Sequence, residues 1–162
     1  MSSADGPAPD DSHCRPEGVS DDEVAAAGKA SEALEWVARA RGRLYDFHQM
    51  LGRADLLFGE AADLVDDAGH GELAGHLRTE VVGRNVLDGR WTFQIVEEFD
   101  RLYHDAVQAA EARVRDELVG GRRHVFESEL KERRRSHGTR HHEARPPASH
   151  DDDVDVDVDA RT

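Results

Sequence analysis

All five prolines of this chain stand near its ends, at Pro7, Pro9, Pro16, Pro146 and Pro147. A proline inside a helix removes a hydrogen bond and clashes with the preceding turn, at a cost of ~3 kcal/mol. The stretch from Glu17 to Arg145 is therefore free to be helical throughout. Its apolar residues follow a seven-residue spacing. One row reads Ala30, Val37, Leu44, Leu51, Phe58, Val65, and the adjacent row reads Ala33, Ala40, Phe47, Ala54, Ala61, Ala68. Spacing of this kind keeps one face of a helix turned toward a lengthwise partner, and small alanines permit close approach. Ser20-Asp-Asp-Glu23 forms a capping box at the start, and Gly69 supplies the usual stop. The pattern predicts one helix from Ser20 to about Ala68. Gly28, Gly42, Gly52 and Gly59 each cost ~1 kcal/mol in a helix interior, which suggests a kink near Gly52.

The remainder reads as a broken return arm. A short helix is expected from Glu72 to about Val82, with Leu73, Leu77 and Val81 on one face. A break follows from Gly83 to Trp91, containing the turn signal Asp88-Gly89. Thr92 is placed to cap a third helix running to about Val119, with Val96, Phe99, Tyr103, Val107, Ala110, Val114 and Leu118 as its apolar face. Gly120-Gly121 stops it, and a last helix is expected from about Arg122 to Arg135. The fold class is all-α: a long antiparallel helical hairpin with a broken second arm plus a short C-terminal helix. At 1.5 Å per residue the first helix spans about 70 Å. A single hairpin of that length leaves apolar surface uncovered, so a homodimer is expected.

The ends differ in composition. Residues 1–19 are rich in Ser, Asp, Pro and Gly and are expected to be disordered. Residues 136–162 hold His137, His141, His142 and His150, then the Val/Asp alternation up to Asp159, and read as a solvated, disordered His/Asp-rich tail. The helical domain is thus 20–135.

Composition narrows the function classes. The 162 residues carry 35 acidic and 21 basic side chains, a net charge of −14. All basic residues but Lys29 and Lys131 are arginine. Few lysines and many aspartates suit the proteome of a salt-accumulating halophile, and so strong an acidity argues against nonspecific nucleic-acid binding. No apolar run reaches the ~18 residues of a membrane span. No basic stretch followed by an apolar core opens the chain. A cytoplasmic location is expected. The single cysteine, Cys14, excludes an internal disulfide and a Cys-paired zinc site. No cofactor is implied.

The sharpest candidate site is a third row on the first helix: Ala27, Leu34, Arg41, His48, Asp55, Ala62. Arg41, His48 and Asp55 interrupt an otherwise apolar stripe, and a charge in such a place must be paired or neutralised. They form a polar pocket, with His48 as base or ligand, or a polar layer that fixes helix pairing, or they mark the boundary of a slowly drifting stripe. Counting back from Gly69 sets the break beside residues 53–58, which brings Arg84, Asn85, Asp88 and Trp91 near Asp55. Trp91 is expected to plug the gap left by the break. Glu97, Asp100, Arg101 and His104 fall opposite the apolar face of the third helix and read as a solvated salt-bridge network.

Two catalytic constellations bear on this helical class. The Glu-x-x-His ligand pairs of a di-iron bundle are missing, since Tyr45 precedes His48 by three and Arg101 precedes His104. Arg43-Leu-Tyr-Asp-Phe-His48 has the spacing of the HEPN ribonuclease motif, but Leu44 stands where that motif carries a polar residue, and no family is identified. The leading expectation is a non-enzymatic helical interaction or adaptor protein, working through its bundle surface and the Arg-flanked last helix. The alternative is a small-molecule- or metal-binding helical enzyme using Arg41, His48 and Asp55.

Overall fold

The structure, a computed structural model, describes residues 9–145. Over them the chain is all-α. The helices are α1 (Asp21–Asp67), α2 (Gly71–Glu80), α3 (Thr92–Phe99), α4 (Asp105–Val119) and α5 (Val125–Arg134), with a π turn, Asp100–His104, between α3 and α4. A short 3-10 turn, Asp11–His13, precedes them. The expected capping box starts α1. Glu23 N–H donates to Ser20 Oγ at 3.3 Å, and Ser20 N–H donates to the Glu23 carboxylate at 2.7 Å. Gly69, at φ +88°, closes the helix. Between these ends α1 runs unbroken through all four interior glycines. No described helix is long and apolar enough to cross a membrane. The Val/Asp alternation of the C-terminal tail, and His150 with it, lies outside the described residues.

The described residues divide into two compact units, one of residues 9–28 together with 118–145, the other Lys29–Glu117. The first has a small apolar core of Val24, Ala27, Val119 and Val125, with Val19 and Leu118 packed on it. Here α1 and α5 approach so closely that only glycine fits at position 28. A Cβ there would lie 2.9 Å from Phe126 Cβ.

Residues 9–19 are not left free, as their composition suggested. Arg15 donates to both oxygens of Glu129, at 2.6 and 2.8 Å, and to Asp21 at 2.6 Å. Arg122 donates to the Cys14 carbonyl at 2.7 Å, and His13 Nδ1 meets the Arg123 carbonyl at 2.7 Å. These side-chain clamps act together with Val19, which packs on the apolar core, and hydropathy gives no sign of the clamps themselves. The Arg15 guanidinium holds the Glu129 carboxyl below its ordinary range.

In the second unit, α1 pairs with the segment that returns through α2, α3, the π turn and α4. The side-chain contacts between them run antiparallel. Ser31 Oγ donates to Glu111 at 2.8 Å, Arg41 to Asp100, and His48 meets Thr92; Asp55 accepts from Gly83 N–H, and Arg78 bridges Asp63 and Asp66. Residue numbers fall on the return as they rise on α1. The buried apolar residues of this unit are few: Ala62, Ala74 and Val96.

Two expectations for the return arm are corrected. Thr92 does not cap α3. The cap position is Trp91, whose N–H is met by the Gln94 side chain at 2.9 Å, and the Thr92 hydroxyl turns to His48 instead. The apolar face predicted for the third helix also departs at Tyr103 and Ala110, which are exposed, while Val107, Val114 and Leu118 are half-buried as expected. At the π turn Asp105 N–H bonds to the Asp100 carbonyl, five residues back. The wider turn adds a residue at this point. Tyr103 is left exposed, while Asp100 and His104, expected in solvent, face inward; the His104 side chain is only 14% exposed.

Candidate functional site

The polar row on α1 arises because Arg41, His48 and Asp55 recur every seven residues and so share one edge of the helix. Each is directed at the return arm, and each is satisfied there. Arg41 Nε and Nη2 donate to the two oxygens of Asp100 at 2.7 and 2.8 Å, a fork-on-fork pairing, and the guanidinium lies 5.0 Å from the Tyr45 ring. Such geometry gives direction as well as energy. The Asp100 carboxyl is held below its ordinary range, chiefly by the Arg41 hydrogen bonds. His48 Nδ1 lies 2.7 Å from Thr92 Oγ1, and Asp55 Oδ1 accepts from Gly83 N–H at 2.7 Å.

The three residues do not converge on one another. Each is spent on a separate cross-arm partner, and no buried side-chain N or O among the described residues lacks a partner. The geometry is that of three separate polar contacts across the two arms. Arg43, the other half of the HEPN-like spacing, is exposed and pairs with Asp46 at 3.0 Å.

A groove of about 400 Å³ lies where the return arm breaks, between α1 and the Val81–Phe93 segment. Its walls are mostly apolar: Leu51, Ala54 and Phe58 from α1, and Val86, Trp91 and Phe93 from the break and the start of α3. Asp55 and Arg84 supply its charged groups. Trp91 does not plug the gap. It is 61% exposed and stands edge-on to Phe93, ring centres 5.6 Å apart, as one wall of the groove. The reason is the turn itself: Leu87 bridges to Arg90 around Asp88-Gly89, and Arg90 N–H donates to the Leu87 carbonyl at 3.0 Å. That tight hairpin leaves the indole on the rim rather than beneath it.

Of the candidates near Asp55, Arg84 and Trp91 line the groove, whereas Asn85 and Asp88 are exposed and lie outside its lining. Arg41 and His48 are not part of it either. Sequence reasoning missed Phe58, Val86 and Phe93 as walls. Phe58 stands in an apolar row and signals only packing. Val86 and Phe93 flank the turn without any pattern of their own.

A second, shallow cleft lies at the turn between α1 and α2, lined by His70, Glu72, Leu73 and His76. No group of three or more His, Cys, Asp or Glu that could hold a metal ion occurs among the described residues. No family model, no curated protein and no solved structure matches the chain.

Proposed function

We propose that this chain is a helical interaction or adaptor protein that works as a homodimer in a salt-rich cytoplasm and takes an apolar anchor of a partner protein into the groove beside Trp91. The observation that carries this reading is the chemistry of the groove walls. Phe58, Val86, Trp91 and Phe93 are exposed apolar side chains gathered on one concavity. Aromatic residues in such places are the usual anchors of protein interfaces. The ionisable groups nearby are already committed: Asp55 to Gly83 N–H, Arg84 to Glu80. Little remains to act as an acid, base or nucleophile.

The test is capture of partners from the source cytoplasm in its own salt, with wild type, Trp91→Ala and a His48→Ala/Asp55→Ala double variant side by side. The reading expects partners lost with Trp91→Ala. Partners retained by Trp91→Ala would sink it. Partners lost only with the double variant would favour the second reading, in which the polar row belongs to a small-molecule or metal site. That alternative is supported by one feature, the presence of Asp55 in the groove lining.

A further inference from the structure

The alanine row on α1 is covered by the return arm only in part, toward Ala54 and Ala61. The residues that face it lie in the rows of Leu44 and Leu51 and of Arg41, His48 and Asp55. One step round the helix, Ala33 and Ala40 are exposed, Phe47 is 37% exposed, and Ala54 and Ala61 are half-buried. Beside that row runs another at the same spacing: Trp36, Arg43, Met50, Leu57, Leu64. It is open to solvent, with Trp36, Met50 and Leu64 all above 60% exposure. The two rows alternate at steps of three and four, which is the spacing of a coiled-coil seam. So α1 carries two apolar faces, and its own chain covers only one.

We infer that the second face is the seam of an antiparallel homodimer, α1 against α1 of a second copy. This rests on the reading of the chain as a self-associating interaction protein and names the surface and register. Three properties of the stripe point to a second copy rather than another partner. The first is size complementarity. One row is small apart from Phe47 and the other is large. In an antiparallel seam, residues of one row meet residues of the other. With the two-fold axis near His48 and Gln49, Ala33 meets Leu64 of the second copy, Trp36 meets Ala61, Ala40 meets Leu57, and Phe47 meets Met50. A large side chain faces a small one in nearly every layer. Parallel pairing would instead stack Trp36 on Trp36 and Arg43 on Arg43.

The second property is charge. The row flanking the stripe reads Glu32, Arg39, Asp46, Arg53, Glu60, Asp67. In the same register Arg39 lies opposite Glu60 of the second copy and Asp46 opposite Arg53, and symmetry repeats each pair. Only the outermost pair, Glu32 with Asp67, is of like sign. A slip of one heptad in one direction sets Arg39 against Arg53 and Glu32 against Glu60; a slip in the other sets Asp46 against Glu60. The third is area. Side chains of this size buried along the stripe on both copies give on the order of 1,500 Å², the size class of a stable specific interface.

The experiment uses the full chain. Light scattering after size exclusion should give a dimer for the wild type. Leu57→Asp should weaken association at least tenfold while the helical circular dichroism stays unchanged. Arg39→Glu and Glu60→Arg should each weaken it several-fold, and the two together should restore it. In a Cys14→Ser background, spin labels at Gln49→Cys should lie close to their copies, whereas labels at Glu35→Cys should lie on the order of 40 Å apart. A monomer at hundreds of micromolar, a dimer indifferent to Leu57→Asp, or short distances at both label sites would each overturn the inference. Failure here is separable from failure of the partner reading, because Trp91 lies outside the seam and Leu57, Arg39 and Glu60 lie outside the groove lining.

Discussion

Arg41 and Asp100 form a two-pronged ion pair across the arms of the second unit, with N···O distances of 2.7 and 2.8 Å. The pair ties a helix edge chosen by heptad spacing to a π turn that the spacing does not foresee. Because planar guanidinium and carboxylate match in two places at once, Lys is not an adequate substitute. Arg41→Lys and Asp100→Asn are both expected to lower the thermal midpoint, and a double variant should lose less than the two singles added together. Additive losses would mean that the pair does not act as a unit.

The depressed carboxyls predict the acid limb of stability. Asp100 beside Arg41 and Glu129 beside Arg15 both titrate lower in the folded chain than their ordinary values of 3.8 and 4.5. A lowered folded value means that the unfolded chain binds protons more readily. The stabilisation is then full above the ordinary values and is lost as pH falls through them toward the folded ones. Asp100→Asn and Glu129→Gln should lower stability at neutral pH and flatten its fall below about pH 4.5. Urea midpoints measured across that range check this, and an unchanged acid slope would contradict it.

Interior glycines separate packing from propensity. At Gly42 and Gly59 nothing lies within 4 Å of the point a Cβ would occupy, whereas at Gly28 Phe126 stands at 2.9 Å. Gly42→Ala and Gly59→Ala should each stabilise by ~0.5–1 kcal/mol through helix propensity. Gly28→Ala should destabilise by ~1 kcal/mol or more, since α5 must shift to admit the methyl. Chemical denaturation of the three variants decides it.

Thr92 and Trp91 are neighbours with opposite expected effects. The Thr92 hydroxyl sits 2.7 Å from His48 Nδ1, so Thr92→Val should cost ~1 kcal/mol. Trp91 is largely exposed on the groove rim, so Trp91→Ala should change stability by less than ~1 kcal/mol. In a Trp36→Phe background, Trp91 emission should be that of a solvated indole. A large loss of stability with Trp91→Ala would show instead that the indole is a structural plug.

Much of the helix layout was legible in the sequence. Ser20, Glu23 and Gly69 mark the ends of α1 by local hydrogen bonding and left-handed backbone, which depend on neighbouring residues alone. The interruption of the apolar stripe by Arg41, His48 and Asp55 was also plain, because a charge repeated at helical spacing needs no tertiary information to be noticed. Which partners those residues take was not legible. Asp100 reads as solvent-facing because it is charged, although it stands one helical turn after the buried Val96, and its partner Arg41 lies 59 residues away and leaves no local pattern. Arg15 looked like part of a featureless end, since an ion pair with Glu129 spans over a hundred residues and leaves no local pattern.

The sequence by itself determined where α1 begins and ends and which of its rows are apolar, because caps, glycines and periodicity act over a few residues. Only the tertiary structure decided which of those rows the chain covers with its own return arm. That choice depends on the rotation of one helix about its axis relative to another. It goes with Ser31, Arg41, His48 and Asp55 each finding a distant polar partner, and it leaves the Trp36–Leu64 row, with Ala33 and Ala40 beside it, facing solvent.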